Sequence, residues 1–264
     1  MKIDIAGVLI DNITKEEALE NILQICRLSE PGHIVTTYSE LIVFAEKDEK
    51  YRKILNSAAL SLPDGIGILW AAYYLSSVNH HLLTSLAGII LNPFKIRSVI
   101  KEQVTGRQLI WDIAKLASEK NYSLALVGGK DGVAQKTAER LKVNSQKLKV
   151  NLVLSECAFD EQLVQKINQS NSDILLIAYQ PPKQEIWLAQ NLKNLNVKVA
   201  LGLGGTFDYI AKKRFQSPKI LHFMGLEWLW RLLTQPWRIK RIWNAVPVFI
   251  WRVNRYKSYK VKKV

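Results

Sequence analysis

A chain of 264 residues, 48% of them hydrophobic, can bury a full core, which excludes extended disorder and fits one α/β domain with or without an appendage. The formal net charge of +14 is unevenly spread: from residue 212 onward fourteen Lys/Arg face one acid, Glu227, and the preceding 211 residues carry about +1. A near-neutral globule with a basic end implies an anionic partner for that end.

Two cysteines, Cys26 and Cys157, are too few for a disulfide framework and read as reduced thiols of a cytosolic protein. The N-terminus shows no signal-peptide pattern. Residues 65–94 contain no charged side chain, but Asn79, His80 and His81 interrupt them. The apolar run that follows, 82–94, falls short of the roughly 20 residues a spanning helix needs.

Residues 2–13 read as one or two short strands, and Thr14 with Glu17 forms a capping-box pattern for an amphipathic helix to about Leu28. Residues 33–37 (HIVTT) read as a buried strand, 39–56 as a helix, 59–62 as a strand ending at Pro63-Asp64-Gly65, and 66–75 as a buried helix. Strands are then expected at 123–127, 151–154, 173–178 and 197–201. Helices are expected from Thr105-Gly106, near Gly132, over 161–168 and from Pro182 to about Leu192. This alternation predicts an α/β fold, a Rossmann-like and mostly parallel sheet with helices on both faces. It places residues 33–37, Asp64, Gly128-Gly129, the Pro-Lys-Gln-Glu turn and residues 202–208 at carboxyl ends of strands, where open α/β sheets bind ligands. Composition changes near residue 212, which divides the chain into a core, 1–211, and a basic C-terminal helical appendage, 212–264.

Asp64, between a proline that fixes the approach and a glycine that admits a ligand, can accept a proton from a hydroxyl or can cap the following helix. Thr36 and Thr37 can offer hydroxyls at the rim or serve as ordinary strand residues. Gly128 and Gly129, like Gly204 and Gly205, can present amides to phosphate or allow close packing. Lys183, Gln184 and Glu185 supply an amide and charges at the rim or form a solvated first turn. Four histidines at 33, 80, 81 and 222, without a ligand spacing, give no basis for a metal site. Five of the eight tryptophans (228, 230, 237, 243 and 251) alternate with arginines in the basic segment. That is the composition of an interfacial anchor, against the simpler reading of a packed helix with a solvated basic face. A nucleic-acid partner is not expected, because no groove-reading motif is present.

Several segments together resemble the WecG/TagA/CpsF family of bacterial glycosyltransferases. They are Thr36 with Glu40 and Leu41, Pro63-Asp64-Gly65-Ile66-Gly67, Thr105-Gly106, Val127-Gly128-Gly129 with Gly132-Val133-Ala134, Pro182-Lys183-Gln184-Glu185 with Trp187, residues 202–208, and the run from Gly225 to Leu232 with Pro236, Arg238 and Arg241. The resemblance implies a metal-independent, inverting transfer of a hexose such as N-acetylmannosamine. The donor would be a UDP-sugar, with no cofactor, and the acceptor a polyprenyl-diphosphate-linked N-acetylglucosamine at the inner face of the cell membrane. By similarity Asp64 is the general base, and Thr36 and Gln184 position substrate. Glycines 65, 204 and 205 with Asp208 shape the rim, and Arg214, Arg231, Arg238 and Arg241 supply cations for the leaving group or the acceptor diphosphate. Self-association is also consistent with the family.

The chain departs from the family pattern at Tyr38 (usually Asn), at Gln103 (usually Arg) and in a longer 76–102 region. These differences make a sugar-nucleotide or lipid-diphosphate binding protein of the same fold the alternative.

Overall fold

The computed structural model describes residues 1–155, 157–212 and 217–262. The chain opens with an antiparallel hairpin, β1 (Lys2–Ile5) and β2 (Val8–Asp11). Helix α1 (Lys15–Ile25) starts on the expected capping box: the Thr14 hydroxyl accepts from the Glu17 amide, and the Glu17 carboxylate accepts from the Thr14 amide. After β3 (Gly32–Thr37) the helix expected over 39–56 is two helices, α2 (Ser39–Lys47) and α3 (Glu49–Asn56). The break is Asp48, at φ −133° and ψ 108°, whose carboxylate accepts from the amides of Lys50 and Tyr51. Aspartate is a weak interior residue and a strong N-cap, so it ends one helix and starts the next.

Strand β4 (Leu60–Pro63) leads into α4 (Ile66–Leu75). The apolar run after His81 folds as α5 (Leu82–Leu91) and α6 (Pro93–Ile96), because Pro93 cannot continue α5 and takes the first turn of a new helix capped by the Asn92 side chain. Among the described residues no helix is long and apolar enough to cross a membrane.

The strand–helix alternation then runs as expected through α7 (Gly106–Lys120), β5 (Ser123–Gly128), α8 (Val133–Asn144), β6 (Lys149–Leu154), α9 (Glu161–Gln169), β7 (Ile174–Ala178), α10 (Lys183–Asn191), β8 (Val199–Gly202) and α11 (Thr206–Ile210). The C-terminal region is helical: α12 (Lys219–Phe223), α13 (Glu227–Thr234), α14 (Ile239–Trp243), one π-helical turn (Asn244–Val248) and α15 (Phe249–Val261).

Six strands form one parallel sheet in the order β4-β3-β8-β7-β5-β6. Their residues alternate between two cores, as the period of a strand requires. Ile34, Leu124, Leu126, Ile174, Leu176, Val199 and Leu201 pack with α1, α7 and α8. Val35 packs on the other face with α2 and α4, and Ala125, Val127, Leu175, Ile177 and Ala200 pack there with α9 and α10.

Helix α15 closes the α2–α4 side of the second face. Phe249 and Val253 are buried in that core, with the Phe249 ring edge-on to Trp70 at 6.2 Å. Much of the basic charge of this helix is tied inward. Lys257 donates to the carbonyls of Tyr74 and His80 at 2.8 and 2.6 Å, Arg252 pairs with Glu46 at 2.8 Å, and Lys260 pairs with Asp4 at 3.0 Å.

Candidate active site

The carboxyl ends of β4, β3 and β8 open into a cleft of about 270 Å³ whose far wall is the C-terminal helical region. Asp64 follows β4 and is held there by its own amide, which donates to the Thr37 carbonyl at 2.8 Å. One carboxylate oxygen accepts from the Gly106 amide at the start of α7 at 3.2 Å. Asp64 therefore does not cap α4; Gly65 holds that position at φ 91°, in the region that favours glycine. Burial raises the Asp64 carboxyl above its ordinary value, against the opposing pull of the Gly106 amide and the Arg107 and Arg231 guanidiniums. A carboxylate raised in this way, at the lip of a cleft, is suited to accept a proton.

Thr36 lines the same floor and donates to the Gly202 carbonyl at 3.4 Å. A Cβ on Gly106 would lie 3.2 Å from the Thr206 hydroxyl and 3.7 Å from that of Thr36, so a larger side chain would crowd this floor. Beside this floor stands a frame of guanidiniums. Arg107 and Arg231 both grip Glu227, at 3.0 and 2.6 Å, and both lie against the Tyr209 ring, at 5.1 and 5.7 Å. Arg241 makes a fork with Glu40, its closest contact being 2.6 Å. With Arg238 the cleft holds four guanidiniums against the carboxylates of Asp64, Glu40 and Glu227. Such a surplus of fixed, planar cations suits a diphosphate.

Of the residues expected from sequence, Thr36, Asp64, Gly65, Gly204, Gly205, Arg231, Arg238 and Arg241 line the cleft. Arg214 lies outside the described residues. Others are placed elsewhere. Thr37 faces away from the cleft, and its hydroxyl shares a 2.8 Å hydrogen bond with Ser61. Gly128 and Gly129 sit at the end of β5; the Gly129 amide is taken by the Ala178 carbonyl at 3.2 Å, and a Cβ on Gly128 would lie 2.5 Å from that same oxygen. Close packing of β5 on β7 explains Gly128, and the approach of Val133 at the start of α8, 2.9 Å from a Cβ at φ 79°, explains Gly129.

Lys183, Gln184, Glu185 and Asp208 do not line the cleft either. Gln184 is a buried strut behind it: its side-chain oxygen accepts from the amides of Tyr179 and Gly204, both at 3.0 Å, and so positions the rim glycine indirectly. Glu185 is buried too, accepting from Gln184 at 2.7 Å and Tyr51 at 3.2 Å.

Arg107, Tyr209, Thr206, Glu40 and Glu227 are among the cleft residues that sequence reasoning left without a role. Glu227 carried the clearest signal, as the single acid in a basic segment of 53 residues. A lone carboxylate amid arginines is most simply explained as their organiser.

Two buried groups predict an unusual pH response. Burial pushes Glu185 from 4.5 up to about 7 and His33 from 6.5 down to about 4. Between pH 4.5 and 6.5 the native state keeps a proton on Glu185 that the unfolded chain loses, so this group lowers stability as pH rises. Over the same window the unfolded chain protonates His33 and the native state does not, so that group raises stability as pH rises. Each effect is about 3 kcal/mol, and they oppose. Urea unfolding of Glu185→Gln is therefore expected to gain about 3 kcal/mol of stability relative to the parent protein as pH rises across this window. Parallel pH profiles of variant and parent would mean that Glu185 is ionised in the native state.

The family model described as "Glycosyl transferase WecG/TagA/CpsF family" matches residues 3–92 and 87–263. The chain is 24% identical, over 267 aligned residues, to the N-acetylglucosaminyldiphosphoundecaprenol N-acetyl-beta-D-mannosaminyltransferase of Staphylococcus aureus strain MRSA252; the alignment covers 99% of this chain and 95% of the relative. The protein of the same name from strain NCTC 8325 / PS 47 is 23% identical with the same coverage. The matched spans take in the Asp64 turn, the Gly106–Arg107 corner and the arginines of α13 and α14, so the cleft is built from matched residues throughout. The chain belongs to the WecG/TagA/CpsF family of glycosyl transferases.

Proposed function

We propose that this protein transfers a hexose of the N-acetylmannosamine type, with inversion, from a UDP-sugar to a polyprenyl-diphosphate-linked N-acetylglucosamine, in the synthesis of teichoic acid or another cell-surface polysaccharide. The observation that carries the reading is Asp64, a carboxylate raised by burial, facing four guanidiniums across one cleft. The acceptor class comes from the relatives' names.

In the proposed step an acceptor hydroxyl oxygen attacks the anomeric carbon from the face opposite UDP. Its proton passes to Asp64 as the new C–O bond forms, and the electron pair of the breaking bond leaves with the UDP phosphate. Guanidiniums receive that charge, a task they can carry out without a metal ion because they are fixed in place by Glu40 and Glu227 before substrate arrives. Turnover of radiolabelled UDP-N-acetylmannosamine with polyprenyl-diphosphate N-acetylglucosamine, in buffer containing a chelator, tests the reading. Binding of both substrates without product would favour a non-catalytic binding protein.

The tail meets an anionic membrane in this scheme, and its exposed tryptophans carry the contact: Trp237, Trp243 and Trp251 are 73%, 63% and 52% exposed. Since α15 is part of the core, the test uses point substitutions rather than truncation. Changing Trp237 and Trp243 together to Ser is expected to weaken binding to vesicles containing phosphatidylglycerol by roughly tenfold or more. Undiminished flotation of the double variant with vesicles would refute the contact.

A further inference from the structure

The cleft has an apolar lining as well as its polar floor. That lining is supplied by Ile66 of α4, Leu86 and Ile89 of α5, and Ile242, Val246 and Ile250 of the C-terminal helices. Ile66, Leu86, Ile89 and Ile250 pack against the core cluster that buries Phe249. Leu86 and Ile89 belong to α5, which lies in the extra 76–102 region and has no part in the proposed chemistry. The helix is seated closely: a Cβ on Gly225, at φ 73°, would lie 2.8 Å from Ile89.

Helix α5 is apolar on its other face as well. Leu83 and Leu91 are 78% and 81% exposed, and Phe94 of the neighbouring α6 is 77% exposed. Phe94 meets Phe223 of α12 at 6.0 Å, and Arg97 donates to the Phe223 carbonyl at 2.7 Å, joining this stripe to the C-terminal region. Residues 65–101 contain no Asp or Glu, and Lys95 and Arg97 put basic charge beside the stripe, while Lys101 is paired with Glu17 at 2.7 Å. A two-faced apolar helix with a basic border matches a lipid leaflet on one side and a lipid chain on the other.

We infer that α5 is the lipid gate of the site: Leu86 and Ile89 hold the first isoprene units of the acceptor against Val246 and Ile250, while Leu83, Leu91 and Phe94 face the leaflet from which that chain comes. This rests on the acceptor class proposed above. The polar end of the acceptor then meets Arg231 and Arg241 while its hydrocarbon stays out of water along the whole path.

The test measures binding to the full chain by quenching of tryptophan fluorescence, since Trp70 and Trp228 line the cleft. The probes are geranylgeranyl diphosphate and inorganic diphosphate, with no sugar donor present. The prenyl compound is expected to bind at least about 30-fold more tightly than diphosphate. Ile89→Asn and, on the opposite wall, Val246→Asn should each reduce that ratio about tenfold while leaving diphosphate affinity unchanged. Leu83→Gln on the outer face should leave the ratio unchanged and weaken vesicle binding.

Equal affinity of the parent protein for the two probes would overturn the inference, as would an unchanged ratio in both wall variants. Thermal melts identify a wall variant that fails to fold, and the other wall then decides. A parent protein that prefers the prenyl probe but turns over no sugar would refute the transfer reaction and leave the lipid gate standing.

Discussion

Asp64→Asn is expected to lower kcat for sugar transfer by about 10²- to 10⁴-fold, the usual worth of a positioned general base, with little change in KM for either substrate. Unfolding will not explain the loss. Burial raises the Asp64 carboxyl, which means that the ionised form is disfavoured where it sits and that a neutral amide of the same shape is tolerated at least as well. The amide oxygen of Asn can still accept from the Gly106 amide, which is 3.2 Å from the carboxylate. The same shift fixes a pH profile. A base must be deprotonated to act, so the acid limb of kcat/KM should lie above the ordinary Asp value of 3.8 and vanish in the variant's residual activity. Transfer by Asp64→Asn at the parent rate would remove Asp64 from the mechanism and leave Glu40 and Glu227, both occupied by arginines, as the remaining carboxylates of the cleft.

Phe249→Ala is expected to cost about 3–5 kcal/mol and to lower the melting temperature by roughly 6–20 °C. Its ring is 1% exposed, it packs edge-on against Trp70, and the space left by its removal is enclosed by α2 and α4. Trp237→Ala, at a position 73% exposed, should change the melting temperature by less than about 2 °C although it removes a larger ring. The contrast separates two meanings of a basic C-terminal segment. If the segment is an appendage that folds independently, Phe249→Ala will melt it alone and leave the main transition in place. A single, lower transition would mean that sheet and C-terminal helices unfold as one unit. Activity should follow the second outcome, because Arg231, Arg238 and Arg241 reach the cleft only while α15 holds its place.

Local chemistry explains which elements were legible in the sequence. The Thr14–Glu17 capping box, the β-branched run before Tyr38 and the apolar run of the strand expected at 173–178 are signals that neighbours in the chain send to each other, and each element formed, the last one over Ile174–Ala178. The long helix over 39–56 failed for a local reason as well. Asp48 competes for the backbone amides of Lys50 and Tyr51, and apolar spacing alone does not register a side chain that caps from within. The site was legible in part. The Pro-Asp-Gly turn is visible because two special residues flank the carboxylate. Gln184 and Glu185 carry the same polar atoms as rim residues, yet the packing of α10 against the sheet buries them. Sequence position marked them as polar at a strand end and could not tell the rim from the layer beneath it.

Composition, periodicity and turn residues were enough to determine an α/β fold with a parallel sheet, the carboxyl-end placement of Asp64 and a strongly basic, helical C-terminal region. They act through neighbours along the chain, where spacing is fixed by helix and strand geometry. Only the tertiary structure decided that Arg107 and Arg231, 124 residues apart, share Glu227, that Arg241 reaches back 201 residues to Glu40, and that the buried face of α15 completes the core beside the cleft. Contacts at such separation depend on how strands are ordered and helices packed, and the order β4-β3-β8 is what brings the Asp64 turn, Thr36 and the Gly204 rim under the arginines of the C-terminal helices.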